Sequence, residues 1–222
     1  MRKIQFIESE LYHIYNRGVD KREIFAEEVD YLRFVHNLFE FNDNNSVSNL
    51  GYYINKSNSE FFPRKKPREL LVEILIFTLM PNHFHLILRP KTEKGIEKFM
   101  QKLGTGYSMY FNQKYKRSGA LFQGRFKAKI INKDSYYSHL PFYIHANPLK
   151  IYGIYRGSTS IDLLKDYQWS SFKDYIGIKN FPSVTSRELF LNHFGGEEEY
   201  QKAFLDWLNN FKSMESIEVE PQ

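Results

Sequence analysis

Two histidines separated by one residue, His83 and His85 in "MPNHFHLIL" (80–88), are the side chains of this sequence best suited to bind a metal. Alternate side chains of a β-strand lie on the same face, so both imidazoles face one way while Phe84 faces the other. Imidazole is a common ligand of divalent metals, but two imidazoles need at least one further ligand. The alternative is a hydrogen-bonded pair on a polar sheet face with no chemical role.

A candidate third ligand lies in "DSYYSHLPFYIHANP" (134–148), which predicts a helix that stops before Pro148. His139, Tyr143 and Asn147 are spaced four residues apart and therefore share one face of that helix. The amide oxygen of Asn147 suits a hard cation, and the Tyr143 hydroxyl lies one turn before it. From the helix pattern alone, Tyr143 could equally be an ordinary surface residue.

The elements that must position these side chains follow from the spacing of the apolar residues. Their order is strand, helix, strand, strand, helix, strand, helix, which is the split βαβ pattern of a ferredoxin-like α+β fold with one helix added. We expect the long second helix to bend near Gly104 and Gly106. The predicted strands are 10–18, 71–80, 83–89 and 119–131, and the predicted helices are 28–42, 95–116 and 134–147.

Other segments flank this arrangement. Residues 43–68, rich in Asn and Ser, predict a long solvated loop. Residues 167–177 predict a packed extension, and 185–210 predict two helices separated by a pair of glycines. We therefore expect a first domain over residues 1–155 and a mostly helical C-terminal extension with an acidic tail over 156–222.

Charge is unevenly distributed along the chain. The 222 residues include 31 Lys and Arg against 26 Asp and Glu, a net charge of +5. Residues 183–222 contain three basic and eight acidic residues, so residues 1–182 carry +10. A basic body indicates a polyanionic partner, although a merely soluble basic domain fits the same balance.

Aromatic and basic residues interleave between positions 107 and 129, as single-stranded nucleic acid binding requires. The same aromatic residues could instead pack a core. In the predicted strand, Arg125, Lys127 and Lys129 share one face, which could contact phosphates or simply form a solvated edge. The aromatic residues are Tyr107, Tyr110, Phe111, Tyr115, Phe122 and Phe126.

Composition excludes several classes of protein. No run of eighteen apolar residues is present, so a transmembrane helix is excluded. The absence of cysteine excludes disulfides and thiolate metal sites. The N-terminal residues lack the apolar block of a secretory signal. We therefore expect a cytoplasmic protein with no membrane partner.

Five blocks of the sequence occur together and in a fixed order. In combination they resemble the REP-associated tyrosine transposases, within the HUH single-tyrosine transposases, and they are far more specific than the histidine pair alone. The resemblance spans residues 10–177. The blocks are "LYHIYNRGVDKREIF" (11–25), "LMPNHFHLILRP" (79–90), "GALFQGRFKAKII" (119–131), "FYIHANPLKIYGI" (142–154) and "YQWSSFKDY" (167–175).

The resemblance implies the HUH endonuclease fold and a role for each matching site residue. His83 and His85 match the two histidines of the HUH motif, and Asn147 matches the polar residue that completes a site for Mg²⁺ or Mn²⁺. Tyr143 matches the nucleophilic tyrosine. His145 stands where some relatives carry a second tyrosine, and we expect it on the helix surface because it lies two residues from Tyr143.

The function implied by the resemblance is a metal-dependent transposase and endonuclease of single-stranded DNA in the bacterial cytoplasm, associated with the nucleoid. Such an enzyme cleaves and rejoins DNA at hairpin-forming palindromic repeats through a 5′-phosphotyrosine. Two other functions fit the same residues, namely a repeat-binding protein that no longer cleaves and a replication-initiator-like nickase. The resemblance leaves monomer and homodimer both open. The residues expected to contact DNA are Arg17, Lys21, Arg22, Arg125, Lys127 and Lys129.

Overall fold

A single antiparallel sheet of four strands forms the centre of the molecule. The structure, a computed structural model, describes residues 5–45, 67–132, 134–153 and 158–210. The strand order is β2-β3-β1-β4, with every neighbouring pair antiparallel. This is the ferredoxin-like arrangement, so the predicted α+β fold class is confirmed. The strands are Tyr12–Arg17 (β1), Val72–Met80 (β2), His83–Pro90 (β3) and Lys127–Ile130 (β4).

Helices pack on both faces of this sheet. None of the helices within the described ranges is long and apolar enough to cross a membrane. A short 3-10 helix at Val19–Lys21 follows β1. The α-helices are Glu28–Glu40 (α1), Gly95–Lys114 (α2), Asp134–Ala146 (α3), Leu149–Tyr152 (α4), Ser158–Asp166 (α5), Phe172–Tyr175 (α6), Glu188–Phe194 (α7) and Glu197–Asn210 (α8).

The two faces of the sheet differ because side chains alternate along each strand. Phe84 and Leu86 of β3 lie in one buried core together with α1 and α2. Ile87 lies in a second core with α3 and the C-terminal helices. His85 shares the face of Ile87, and its partner across β1 is Tyr15. The predicted alternation in β3 is therefore confirmed, and the histidine face is the one that α3 covers.

The outer edge of β2 is covered by the extension predicted at residues 167–177. Leu79 N–H donates to the Trp169 carbonyl at 2.9 Å, and Ser171 N–H donates to the Phe77 carbonyl at 3.0 Å. Covering an edge in this way removes unpaired backbone groups that could otherwise pair with another chain. The segment is packed against the sheet, as predicted.

Helix α3 lies between the sheet and the C-terminal helices. Every residue from 142 to 147 is buried. Tyr143 is turned toward the sheet, and Phe142 is turned toward α8. The Phe142 ring lies 5.6 Å from that of Phe204 and 5.9 Å from that of Trp207, measured between centroids. The C-terminal extension and α3 therefore share one hydrophobic core.

Helix α2 runs without interruption through Gly104 and Gly106. Packing compensates for the low helix propensity of glycine at Gly106. A Cβ at Gly106 would lie 2.6 Å from Cε2 of Phe41, the residue at the end of α1, whereas Gly104 has no neighbour within 4 Å. Glycine at position 106 thus permits the close approach of α1 and α2.

The strand predicted over residues 119–131 is present only as β4. Gly119 and Gly124 adopt φ angles of 86° and 98°, which are incompatible with an extended strand. Arg125 consequently precedes the strand, and the predicted row of three basic residues is reduced to Lys127 and Lys129.

The aromatic residues between positions 107 and 126 pack in or against the core, which is the second of the two alternatives that the sequence left open. Tyr107 and Phe111 are buried, and Phe122 and Phe126 pack against the same core. The hydroxyls of Tyr110 and Tyr115 donate to the buried carboxylate of Asp30 at 2.8 and 2.7 Å. These rings hold α2 against α1.

Most of the predicted loop, residues 46–66, lies outside the described residues. Its described ends are ordered by specific contacts. The Asp43 carboxylate is buried and accepts the backbone N–H groups of Asn45 and Glu69. The Arg68 guanidinium lies 3.7 Å from the ring centroid of Phe39. The prediction of a fully solvated loop is therefore wrong at both of these ends.

Candidate active site

His83 and His85 lie on the face of the sheet that α3 covers, with ring centroids 5.0 Å apart and planes at 87°. The short turn at Pro81-Asn82 holds His83 directly. Nδ1 of His83 donates to Oδ1 of Asn82 at 2.6 Å, while Nδ2 of Asn82 donates to the Lys21 carbonyl at 3.2 Å. In neutral His83 the proton is thus on Nδ1, so the nitrogen with a lone pair for a metal is Nε2.

A third histidine, His13 of β1, supports His85. It is 1% exposed, and its Nε2 lies 2.9 Å from Nδ1 of His85. This hydrogen bond engages Nδ1 of His85, so Nε2 is the candidate nitrogen for a metal, and a neighbouring group commonly orients an imidazole ligand in this way. Nε2 of both His83 and His85 is buried.

Tyr143 of α3 contacts this face, and Asn147 follows directly after the end of α3. The Tyr143 ring lies edge-on to His85, with 6.4 Å between ring centroids and an angle of 80°. Nδ2 of Asn147 donates to the Tyr143 carbonyl at 3.0 Å, which fixes the orientation of the amide. The Asn147 Oδ1 atom is buried and has no hydrogen-bond partner among the described residues.

This set of donors fits a divalent cation. A buried amide oxygen without a partner is costly unless a ligand satisfies it. Two imidazole nitrogens and one amide oxygen are borderline and hard ligands that Mn²⁺ or Mg²⁺ accepts, together with phosphate oxygens and water. Within the described ranges no three His, Cys, Asp or Glu side chains are placed to hold a metal ion together, so this candidate site depends on Asn147.

The Tyr143 hydroxyl has a cationic neighbour. Nζ of Lys150, on α4, donates a hydrogen bond to Oη of Tyr143 at 3.1 Å and lies 5.1 Å from the ring centroid. A positive charge at this distance stabilises negative charge on the phenol oxygen. The tyrosine is 1% exposed while Lys150 is partly exposed, so this contact lies between the buried core and the solvent.

One region of the chain is similar to a known protein family. Residues 62–147 match the sequence profile of a family described as "Transposase IS200 like". This region matches the IS200-like transposases. The match covers less than half of the chain and includes His83, His85, Tyr143 and Asn147, and it confirms the resemblance to single-tyrosine transposases for this region.

Similarity to solved structures is more distant. One solved structure, a REP-associated tyrosine transposase bound to a REP hairpin, shares 14% identity with this chain at a TM-score of 0.49, over 84% of this chain and 90% of that one. That likeness is too distant to support a functional conclusion. Comparison with curated proteins gave no match.

Three of the basic residues predicted to contact DNA lie on the histidine face of the sheet. Arg17 pairs with His83 in the sheet register, and Lys127 pairs with Tyr15, so their side chains lie on the histidine face. Lys129 lies on the same face and, like Lys127, is exposed. These three residues extend the candidate site across β1 to the β4 edge.

The remaining basic residues lie beside this row. Lys21 is exposed next to the turn that holds His83. Nε of Arg22 donates to the Val19 carbonyl at 3.2 Å, and the guanidinium pairs with Asp20 at 4.0 Å. Arg125 is exposed just before β4.

His145 is buried, so its predicted place on the helix surface is wrong. Its Nδ1 lies 2.7 Å from the Tyr200 hydroxyl, and its Nε2 lies 2.8 Å from the Ser171 hydroxyl. Burial lowers the pKa of His145 to about 3, so the side chain is neutral at physiological pH. It joins α3 to the C-terminal extension, on the side of α3 away from the metal ligands.

Sequence reasoning missed three residues of the candidate site, namely His13, Asn82 and Lys150. Asn82 directly precedes His83, and a side-chain amide next to a candidate metal ligand is a signal that the sequence carries. Lys150 lies seven residues after Tyr143 and two residues after Pro148. The sequence separation of His13 from His85 hides their contact.

Proposed function

We propose that this protein is a metal-dependent transposase and endonuclease of single-stranded DNA, which cleaves and rejoins strands at hairpin-forming repeats, as in the REP-associated tyrosine transposases. Tyr143 is the nucleophile, and His83, His85 and Asn147 are the metal ligands. The observation that carries the proposal is the contact of the Tyr143 ring with His85, together with the Asn147 Oδ1 one turn later, which is buried without a hydrogen bond to any described residue.

The chemistry assigned to Tyr143 is an in-line transfer. Its Oη attacks the scissile phosphorus, the bond from phosphorus to the 3′ oxygen breaks, and the products are a 3′-hydroxyl and a 5′-phosphotyrosine. Rejoining is the reverse reaction, in which a 3′-hydroxyl attacks and the phenolate leaves. The covalent link retains the energy of the phosphodiester, so neither step requires a nucleotide cofactor.

The remaining residues orient and hold the reactants. His13 and Asn82 fix the two imidazoles with Nε2 directed away from their hydrogen bonds. A bound Mg²⁺ or Mn²⁺ would polarise the scissile phosphate and neutralise developing charge. Arg17, Lys127 and Lys129 bind the phosphates of the strand on either side of that position.

A covalent-adduct assay tests the proposal. Labelled single-stranded hairpins from the repeats that flank the gene are incubated with protein and Mn²⁺ and separated on a denaturing gel. The parent should give a metal-dependent shifted band, and Tyr143→Phe should give none. Tyr137→Phe is the matched control, because Tyr137 is on the same helix and contacts Phe190 of α7, 5.1 Å away between ring centroids.

Each outcome has a distinct meaning. An adduct with the parent and with Tyr137→Phe, but not with Tyr143→Phe, supports the nucleophile assignment. Tight hairpin binding without an adduct would instead favour a protein that binds repeats and no longer cleaves. An adduct that persists in Tyr143→Phe would contradict the role of Tyr143.

A further inference from the structure

Lys150 is held close to Tyr143 by the local geometry of the chain. Pro148 ends the path of α3, and the four-residue helix α4 begins directly after it. The Lys150 N–H donates to the Asn147 carbonyl at 3.0 Å, which fixes the start of this turn. From there the side chain folds back over the Tyr143 ring and brings Nζ to 3.1 Å from Oη.

We propose that Lys150 is a catalytic residue, whose ammonium group stabilises the Tyr143 oxygen as that oxygen gains and loses negative charge. This inference rests on the proposed function, since it assigns Lys150 a role only if Tyr143 is the nucleophile. A preorganised cationic donor at a reacting oxygen lowers the barrier most where water is excluded. Tyr143 is such a site, because it is buried between the sheet and the C-terminal helices.

The same contact serves both directions of the transfer. In cleavage, the phenol loses its proton to solvent water, Oη forms the bond to phosphorus, and the departing 3′ oxygen takes up a proton from water. In rejoining, the 3′-hydroxyl loses a proton to water, its oxygen forms the new bond to phosphorus, and the electron pair of the broken bond returns to Oη. Lys150 donates its hydrogen bond to Oη in each case and remains an ammonium throughout.

A second use of Lys150 must be separated from this one. A lysine near a phosphotransfer site could instead bind a phosphate of the DNA, in which case its loss would weaken hairpin affinity. The two roles differ in what they change, because stabilisation of the tyrosine oxygen affects the rate at saturating hairpin and leaves affinity unaltered.

The test compares the rate of adduct formation at saturating hairpin and Mn²⁺ for the parent, Lys150→Met and Lys150→Arg. Lys150→Met should lose about 100-fold in rate, which is typical of removing one preorganised donor, with hairpin affinity unchanged. Lys150→Arg should keep most of the rate, because it retains a cationic donor. Lys202→Met is the matched control, since Lys202 is exposed on α8.

A second measurement separates charge stabilisation from a structural role. Replacing Tyr143 with 3,5-difluorotyrosine makes the phenolate less basic, so it depends less on a neighbouring cation. The loss of rate caused by Lys150→Met should then be smaller, by about tenfold or more, than the loss caused by the same substitution beside ordinary tyrosine. A merely structural role for Lys150 predicts the same defect with either side chain.

The outcomes distinguish this inference from the function on which it rests. If the parent forms no adduct, the proposed function fails and the role of Lys150 fails with it. If the parent forms an adduct and Lys150→Met forms it equally fast, only the role of Lys150 is overturned. A full rate at saturation with weakened hairpin affinity would make Lys150 a phosphate-binding residue and would also overturn the inference.

Discussion

Nε2 of His13 lies 2.9 Å from Nδ1 of His85, diagonally across the pairing of β1 with β3. The contact is buried and engages the nitrogen of His85 that a metal would not use. His13 therefore acts on the candidate metal site through His85.

Replacing His13 should weaken metal binding in the absence of DNA. We expect His13→Leu to lower the affinity for Mn²⁺ by about 10–100-fold, the usual effect of losing a group that orients a ligand. His13→Gln should lose less, since its amide oxygen can accept from His85. Titration calorimetry measures both, and an unchanged Kd in a folded His13→Leu protein would contradict the role.

Asn147 should couple metal binding to stability. At 100 times its Kd, Mn²⁺ should raise the free energy of unfolding of the parent by about 2.7 kcal/mol, and a tenfold weaker site would retain about 1.4 kcal/mol at the same concentration. We therefore expect Asn147→Ala to show the smaller gain in urea denaturation with and without Mn²⁺. His139→Ala, at an exposed position of α3, serves as the control and should respond like the parent.

The candidate metal site could be predicted only in part from the sequence. Strand alternation places His83 and His85 on one face whatever the rest of the fold does, and helical spacing aligns Tyr143 with Asn147. The order of all four strands determines which face of the sheet that helix covers. The contact of His13 depends on the register of β1 against β3, which no local pattern specifies.

The wrong prediction for His145 has a similar cause. Helical periodicity identifies one buried stripe, but α3 is covered on two sides, and the second cover comes from residues more than 25 positions further along the chain. Tyr200 and Ser171 supply the partners of the imidazole. Burial of this kind is a property of the assembled fold rather than of the helix.

His145 should make the free energy of unfolding depend on pH. Its pKa is about 3 in the folded protein against an ordinary value of 6.5, so the unfolded chain takes up the proton first as pH falls. The contribution of neutral His145 is complete above pH 6.5 and is lost progressively as pH decreases from 6.5 toward 3.

We therefore expect the stability difference between the parent and His145→Gln to narrow on acidification, by about 1.4 kcal/mol per pH unit at most. Urea denaturation at several pH values in the presence of EDTA measures this difference. His139→Gln should show no such narrowing because that side chain is exposed. A difference that stays constant from pH 7 to pH 4 would argue against a neutral buried imidazole.

The exposed row on β4 should contribute to DNA binding through phosphates. We expect Lys127→Glu to weaken hairpin affinity and to reduce the slope of log K against log salt by about 1. Lys202→Glu, the same change in charge on α8, should alter the slope little. An equal slope for the parent and Lys127→Glu would leave this edge as an ordinary solvated surface.

The two interior glycines of α2 should respond differently to replacement by alanine. Gly104→Ala should stabilise the protein by about 0.5–1 kcal/mol, because alanine is the better helix former and nothing lies within 4 Å of the new Cβ. Gly106→Ala should be less stable than Gly104→Ala by about 1 kcal/mol or more, since Phe41 must move. Thermal or urea denaturation gives both values.

Helix α3 separates the candidate catalytic side chains from the aromatic core of the C-terminal helices. Any movement that draws Tyr143 away from His85 must therefore either break the contacts of Phe142 and His145 or carry α6 and α8 along. The second route would break the backbone hydrogen bonds that join the start of α6 to the edge of β2. The position of the tyrosine ring against the histidines is thus fixed by residues far along the chain, which anchor α3 to the same sheet that carries the imidazoles.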